Sequence, residues 1–569
     1  MTTARRWSKG FAPLFVLLLL SSSLGLWAAA AEAASNRPVV MSVRGMVAAH
    51  HPLAAQAGLE MLKKGGNAVD AAVAANAVLG AVYPHMNGIG GDLFMLIYIA
   101  KDQKVYALNA SGRSPYAMTR DYFTQKGLDR VPLQGSLLPV SVPGAVDGWD
   151  QALRRFGRLT LADVLQPAID IAANGFAVTE HLARASQTSH ELLLKTPTTA
   201  KMLTRDGQPF QAGDVLVLKD YAGSLRKCAV GGRDVFYQGE LAQAMVKYSQ
   251  ENGGLLSLKD FADHRSTWVE PITTSYRGYT VYEFPPNTQG IALLQLLNMV
   301  EAYDLKAMGH NSAETLHLFA EAKKLAFADL DKYITDPDFA TVPVKGLASK
   351  EYAAKRRKLI DPNRAATSVA GGDAESDTIT LQVVDREGNG VSLIQSLYFA
   401  WGSGVVAGDT GILLQNRAGY FTLDPIHVNR LEPHKRTFHT LNPAMLFKDG
   451  KPFLLVATRG AGGQVQTLLS VITNMIDFGM NPQEAVEAAR WLHGIVVPGN
   501  PPDLLNLEGR IAPDVAKALE AKGHKVKVHP PFTQTMGAVT AIMIDPRTGT
   551  LWGAGDPRAD GVALGYEGP

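Results

Sequence analysis

At 569 residues, with 46% hydrophobic and 19% charged side chains, the chain has the length and balance to bury a large core. A formal charge of +2, with no basic stripe interleaved with aromatics, excludes a nucleic-acid binder that works by neutralising phosphates. One cysteine, Cys228, excludes an intrachain disulfide and a cysteine-ligated zinc site, and its expected place is the core.

The chain opens with Arg5, Arg6 and Lys9 ahead of an apolar run from Phe11 to Trp27, followed by Ala31-Glu32-Ala33. This order of charged, apolar and small residues predicts a secretory signal over residues 1–33, cleaved on export or kept as an anchor. An exported protein with a lone thiol points to a bacterial periplasm or secretion rather than to a disulfide-dense scaffold. Beyond this segment no stretch reaches spanning length without charges, so no stable membrane span is expected once the signal is gone.

Ala54 to Leu62 has apolar residues at helical spacing and ends at Gly65-Gly66, after which Asn67 can cap an alanine-rich helix running to Val82. Phe94 to Ala100 and Val105 to Asn109 predict a hairpin with its turn at Lys101 to Lys104. Further helices are predicted over Leu161 to Asn174, Ile291 to Tyr303 and Glu314 to Asp331. Residues 350–377 are polar and charged, with Asp361-Pro362-Asn363 and Gly371-Gly372-Asp373, and predict an exposed, mobile linker. Thr378 to Asp385 then alternates as a strand, Arg386 to Gly390 turns, and Val391 to Tyr398 returns. A loose linker feeding a buried hairpin is where a chain can be cut without losing its core.

A threonine hydroxyl is a poor nucleophile until a base stands beside it. Cutting the bond before Thr378 would supply that base as its own α-amine, with a reference pKa near 8. The same hydroxyl, before cutting, can attack the Asp377 carbonyl to give an ester that water resolves. On the local pattern alone, Thr378 reads first as a β-branched residue that suits a pleat, and the nucleophile is only the second reading.

Motifs in one order across the mature chain decide more. They are Gly45-Met46-Val47-Ala48 with His51-Pro52-Leu53-Ala54, Gly65-Gly66-Asn67-Ala68-Val69-Asp70-Ala71-Ala72, and Gly88-Ile89-Gly90-Gly91-Asp92. Val142-Pro143-Gly144 with Gly148-Trp149, and Glu321-Ala322 with Lys324 to Asp329, follow. Val383-Val384-Asp385 with Gly388-Asn389, Gly411 to Leu414, and Asp556-Pro557-Arg558 complete the set. From Val43 to Tyr566 the chain resembles the γ-glutamyltransferase (glutathione hydrolase) family of N-terminal-nucleophile enzymes.

The resemblance implies an α/β, four-layer αββα sandwich made as one chain that cuts itself before a threonine. It places that threonine at Thr378, so the large subunit is expected to span 34–377 and the small catalytic one 378–569. It implies an acyl-threonine intermediate passed to water or to an amino acid, a small-molecule amide substrate such as glutathione, and no cofactor or metal. Ser396 falls where the family has a hydroxyl supporting the nucleophile, and Gly462 and Gly463 match its oxyanion glycines. Backbone donors of that kind contribute about 3–4 kcal/mol.

The departures fall on glutamate recognition. The family's carboxylate-holding arginine becomes Ser111, with Arg113 two residues on; an asparagine becomes Tyr398, an aspartate Tyr420, and a serine pair His439-Thr440. Arg417 joins them, Ile379-Thr380 replace the usual pair after the nucleophile, and the loop from Thr422 to Lys435 is short for a lid. Losing the aspartate removes the partner of a substrate ammonium, whereas Arg113 and Arg417 keep a means to hold a carboxylate. The expectation is retained amide cleavage with a weakened or replaced γ-glutamyl preference, as in relatives that act on oxamate or acylated β-lactams. A binding scaffold that no longer turns anything over is the other reading. A serine hydrolase lacks its Gly-x-Ser-x-Gly elbow, Gly88 to Gly91 lacks a phosphate loop's lysine, and adjacent His50-His51 point apart on a regular element.

Overall fold

The computed structural model describes residues 35–367, 377–494 and 501–567. The chain divides into two compact units, Met1–Pro38 and Val39–Pro569. The expected signal segment, 1–33, lies outside the described residues; of the first unit only 35–38 are described, where the Ser35 hydroxyl donates to the Arg37 carbonyl.

In the second unit the strands are β1 (Val40–Ser42), β2 (Gly45–Ala49), β3 (Asp92–Ile99), β4 (Lys104–Ala110), β5 (Phe176–Ala177), β6 (Val215–Leu216), β7 (Thr267–Val269), β8 (Ile272–Tyr276) and β9 (Tyr279–Glu283). They continue as β10 (Asp377–Val384), β11 (Gly390–Tyr398), β12 (Ala444–Lys448), β13 (Lys451–Thr458), β14 (Trp491–His493), β15 (Leu504–Glu508), β16 (Lys525–His529), β17 (Val539–Ile544), β18 (Leu551–Gly555) and β19 (Val562–Tyr566). One seven-stranded sheet runs β19-β2-β10-β11-β3-β4-β7 and another β1-β18-β17-β13-β12-β9-β8.

The cores show how these sheets are layered. Val47, Ile379, Leu381, Val383 and Leu393 of the first sheet pack with helices Pro52–Lys63 and Ala68–Val82. Leu446, Leu454, Val456 and Val539 of the second pack with helices Gly290–Val300, Ala313–Tyr333 and Gln464–Ile476. Met46, Phe94, Leu96, Ile394, Met445, Leu455 and Ile542 fill the space between the sheets. Alternation along each strand sends one set of side chains to the helices and the other to the opposite sheet. The result is the expected four-layer αββα sandwich, which leaves a strand such as β3 buried along its whole length.

Helix Ala68–Val82 is buried at every residue, so it is alanine-rich rather than amphipathic. Asn67 and Asp70 form a capping box at its start, a device contributing about 1 kcal/mol. Asp385, in the β10–β11 turn, accepts from the Ala68 N–H at 3.0 Å and from the Asn389 side chain at 2.8 Å. That motif therefore fastens the hairpin to the helix layer. Cys228 is buried, as expected, and burial pushes its thiol up to about 12.

The linker expected over 350–377 is not loose at its start. Lys350–Arg357 is a helix capped by Ser349, and the chain from Asp361 to Ala366 is pinned to helix Ala313–Tyr333. His317 Nε2 meets the Asp361 carbonyl at 2.8 Å, the Ala366 N–H donates to Glu321, and Lys324 donates to the Ala366 carbonyl. A charged, polar sequence looked unburiable, but its backbone is held by buried partners rather than by apolar side chains. Residues 368–376 lie outside the described part.

Candidate active site

Thr378 sits at the start of β10, wholly buried, and its hydroxyl has no hydrogen-bond partner among the described residues. Ile379, Leu381 and Val383 face the helices, so Thr378, Thr380 and Gln382 face the second sheet. Consistent with this, the Thr380 hydroxyl lies 2.7 Å from that of Thr540 on β17 and 3.2 Å from His50 Nε2. His51 points elsewhere, capping helix Pro52–Lys63 through its Nδ1.

The register aligns Thr378 with Ser396 on β11 and Ser396 with Asp92 on β3, a row across three strands. A bulge follows at once: Asp377 pairs with Tyr398, which adopts a φ of 85°. The Ser396 hydroxyl accepts the Tyr398 N–H at 2.7 Å and so holds that unusual backbone.

Asp92 is the centre of the polar cluster. Its carboxylate accepts from the Gly112 N–H and the Gln415 amide, each at 2.8 Å, and from His439 Nε2 at 3.1 Å. Burial raises it to about 6, with Arg417 opposing the rise. His439 is held well below its usual value by burial and by Arg417, so the ring is neutral. Its Nε2–H faces Asp92 and its Nδ1 accepts the Leu441 N–H at 3.3 Å, which agree on one tautomer.

Arg417 is wholly buried in the short turn Arg417–Tyr420. One nitrogen donates to the Thr440 hydroxyl at 3.2 Å, and its guanidinium lies 4.5 Å from the Tyr398 ring centre. Tyr398 and Tyr420 stack with centres 4.4 Å apart. Nε and the other terminal nitrogen of Arg417 have no partner among the described residues. A planar pair of unused, charged donors in a dry place suits a carboxylate.

Other expected residues fall differently. Arg113 spends its charge on Asp336 at 2.8 Å and Asp338 at 2.6 Å, so it offers no unpaired guanidinium. The Ser111 hydroxyl donates to Asn109 and its carbonyl accepts from Arg436. Gly462 and Gly463 lie in the turn Ala461–Gly463 that opens helix Gln464–Ile476. The Gly463 N–H donates to the Gly460 carbonyl at 2.7 Å, and an oxyanion role for it requires that bond to open. The Thr422–Lys435 loop folds on itself, with Lys435 donating to the carbonyls of Val428 and Arg430.

A cavity of about 450 Å³ is lined by Gln289, Tyr420, Thr440 and Gly462 together with the apolar Phe327, Leu330, Ile334, Phe438 and Pro502. The sequence reading assigned no role to Asp92, Gln415 or Gln289. Asp92 carried a usable signal, since an aspartate heading a wholly apolar strand must be buried and partnered. Among the described residues one group, His317, Glu321 and His524, brings three metal-capable atoms within 4.8 Å. Those histidines bond each other at 2.8 Å and Glu321 bonds Lys324 at 2.6 Å, so its donors are already engaged.

The four-layer fold is that of the N-terminal-nucleophile hydrolases. A sequence model of the γ-glutamyltranspeptidase family matches residues 54–566. The glutathione hydrolase-like YwrD proenzyme of Bacillus subtilis is 46% identical over 92% of this chain and 99% of its own. The glutathione hydrolase proenzyme of Escherichia coli is 36% identical over 93% of each. The crystal structure of cephalosporin acylase from Bacillus halodurans superposes with a TM-score of 0.88 at 39% identity, over 94% of this chain and 98% of that one. The chain belongs to the γ-glutamyltranspeptidase family and is a glutathione hydrolase-like amidohydrolase. Among the described residues no helix is long and apolar enough to cross a membrane.

Proposed function

We propose that the chain cuts itself between Asp377 and Thr378, and that the freed Thr378 hydrolyses carboxylate-bearing acyl amides, γ-glutamyl amides being one kind. The fragments 34–377 and 378–569 would be the two subunits. In the cut, the Thr378 hydroxyl attacks the Asp377 carbonyl, the acyl group moves from nitrogen to oxygen, and water hydrolyses the ester. In turnover, the α-amine takes the hydroxyl proton as oxygen attacks the substrate carbonyl. It then passes that proton to the leaving nitrogen, and water resolves the acyl-threonine; an amino acid in place of water gives transfer. The turn at Gly462 faces the developing oxyanion.

The observation that carries the substrate class is Arg417, buried near Asp92 with two charged donors that have no partner among the described residues. Among the described residues of the site nothing equivalent awaits an α-ammonium. Tyr420 occupies the family's aspartate position, and Asp92 already accepts three hydrogen bonds. The cephalosporin acylase likeness supports an acyl pocket not restricted to glutamate. Steady-state turnover of γ-glutamyl anilide, its desamino glutaryl analogue and oxamate tests the reading. The expected result is that the carboxylates without an amine are cut at least as well as the γ-glutamyl compound; strong selectivity for the latter contradicts it. The N-terminal charged and apolar order supports export to the periplasm, and cell fractionation checks it by finding the processed protein outside the cytoplasm.

A further inference from the structure

Gln289 is the residue before helix Gly290–Val300 and is wholly buried. Its side-chain nitrogen lies 2.6 Å from the Thr440 carbonyl, 2.8 Å from the Ala461 carbonyl and 3.2 Å from Asn442 Oδ1. Three oxygens around one atom settle the orientation of the amide, because a flipped Oε1 would face them with no proton between. The other end of the amide is therefore the oxygen, an acceptor, and no donor reaches it among the described residues. Gln289 also lines the cavity beside Gly462 and Thr440. A buried carbonyl oxygen without a donor is a standing cost unless something enters to meet it.

We propose that Gln289 is a specificity-determining substrate contact whose Oε1 accepts a hydrogen bond from the N–H of the scissile amide. The assignment rests on Thr378 as nucleophile and adds what the leaving side must carry: a nitrogen that keeps its hydrogen. Placement favours this atom. The Gln289 nitrogen holds the carbonyl of Ala461, the residue before Gly462, so its oxygen stands beside the turn that faces the carbonyl under attack. Charge favours it too, since one neutral acceptor matches one neutral N–H, whereas an ammonium needs an anion or several acceptors. With that hydrogen held on Gln289, the leaving nitrogen turns its lone pair away as the carbonyl becomes tetrahedral. It is then placed to receive the proton that the Thr378 amine took from the hydroxyl, and the amine departs with both hydrogens.

The test compares kcat/KM on a glutaryl anilide and on the 4-nitrophenyl ester of the same acyl group, for processed wild type and Gln289→Met. Loss of the contact is expected to lower turnover of the anilide about tenfold and leave the ester within about twofold. An equal loss on both substrates means that the nitrogen only braces the Thr440 and Ala461 carbonyls, and overturns the contact. So does an unchanged anilide-to-ester ratio with a changed γ-glutamyl-to-glutaryl ratio, which would put the oxygen against the acyl amine. If Gln289→Met does not fold or process, wild type alone decides: it must discriminate against the N-methyl anilide, and equal turnover overturns the proposal. A processed wild type that cuts none of these derivatives overturns the carboxylated-acyl-amide reading and this contact with it.

Discussion

Among the described residues Arg417 meets an oxygen, that of Thr440, through one of its terminal nitrogens, and burial lowers its hold on its proton. Such a group persists at the expense of stability, so its removal is expected to move function and folding in opposite directions. Arg417→Met should lower kcat/KM on carboxylated acyl amides by roughly 100-fold, the worth of a charge-assisted pair of about 2–3 kcal/mol. The melting temperature of the same variant should rise. Calorimetry with kinetics on charged and uncharged acyl amides checks both; equal losses on the two substrates, or a lower melting point, would contradict the account. At this scale the sequence was partly legible. Thr378 and Ser396 follow from the resemblance and Arg417 from its nearness to the same stretch; the register sets Thr378 opposite Ser396, and their roles are proposals. Asp92 and Gln289 acquire meaning only through register and tertiary contact, which no local pattern encodes. Arg113 shows the converse, a correct residue type whose charge is consumed by Asp336 and Asp338.

Among the elements, the segment leading to the proposed cut deserves a mechanical reading. Glu321 and Lys324, one turn apart on helix Ala313–Tyr333, form a buried pair at 2.6 Å and grip both backbone groups of Ala366. This holds the chain shortly before the site while the β10 hairpin holds it just after. Lys324→Met would leave Glu321 buried with its charge uncompensated, a loss of about 3–5 kcal/mol. The variant is therefore expected to unfold at a lower temperature and to process more slowly, as a time course on gels would show; unchanged processing would separate the grip from the cut. Helix Leu161–Asn174 was readable to the residue because Thr160 caps it and Gly175 ends it. Lys350–Arg357 was missed because its charges suggested solvent, while its Ser349 cap and the Tyr352 bond to Asp329 lie outside any periodicity.

For the molecule as a whole, the strand order interleaves the two proposed subunits. In the first sheet β10 and β11 stand between β2 and β3, and in the second β12, β13, β17 and β18 stand between β1 and β9. A cut before Thr378 therefore leaves both sheets intact. The layered fold was legible from motif coverage, but this interleaving was not, because strand neighbours are set by packing at long range. Burial also shapes the acid response. It holds His50, His85, His264 and His524 at about 3, so they stay neutral in the folded protein. The unfolded chain takes up their protons near 6.5, so it binds more protons than the folded one between about 6.5 and 3. Their contribution is fully present above 6.5 and is lost as pH falls toward 3. Melting temperature against pH should accordingly decline from about 6.5 downward, and a curve flat to pH 4 would contradict it.

The most direct measurement is the intact mass and N-terminal sequence of the purified protein. The account predicts two fragments that remain together until denaturant is added, the smaller beginning at Thr378, and a single uncut chain for Thr378→Ala. A fully active wild type that stays in one piece, or that is cut at another bond, would contradict it.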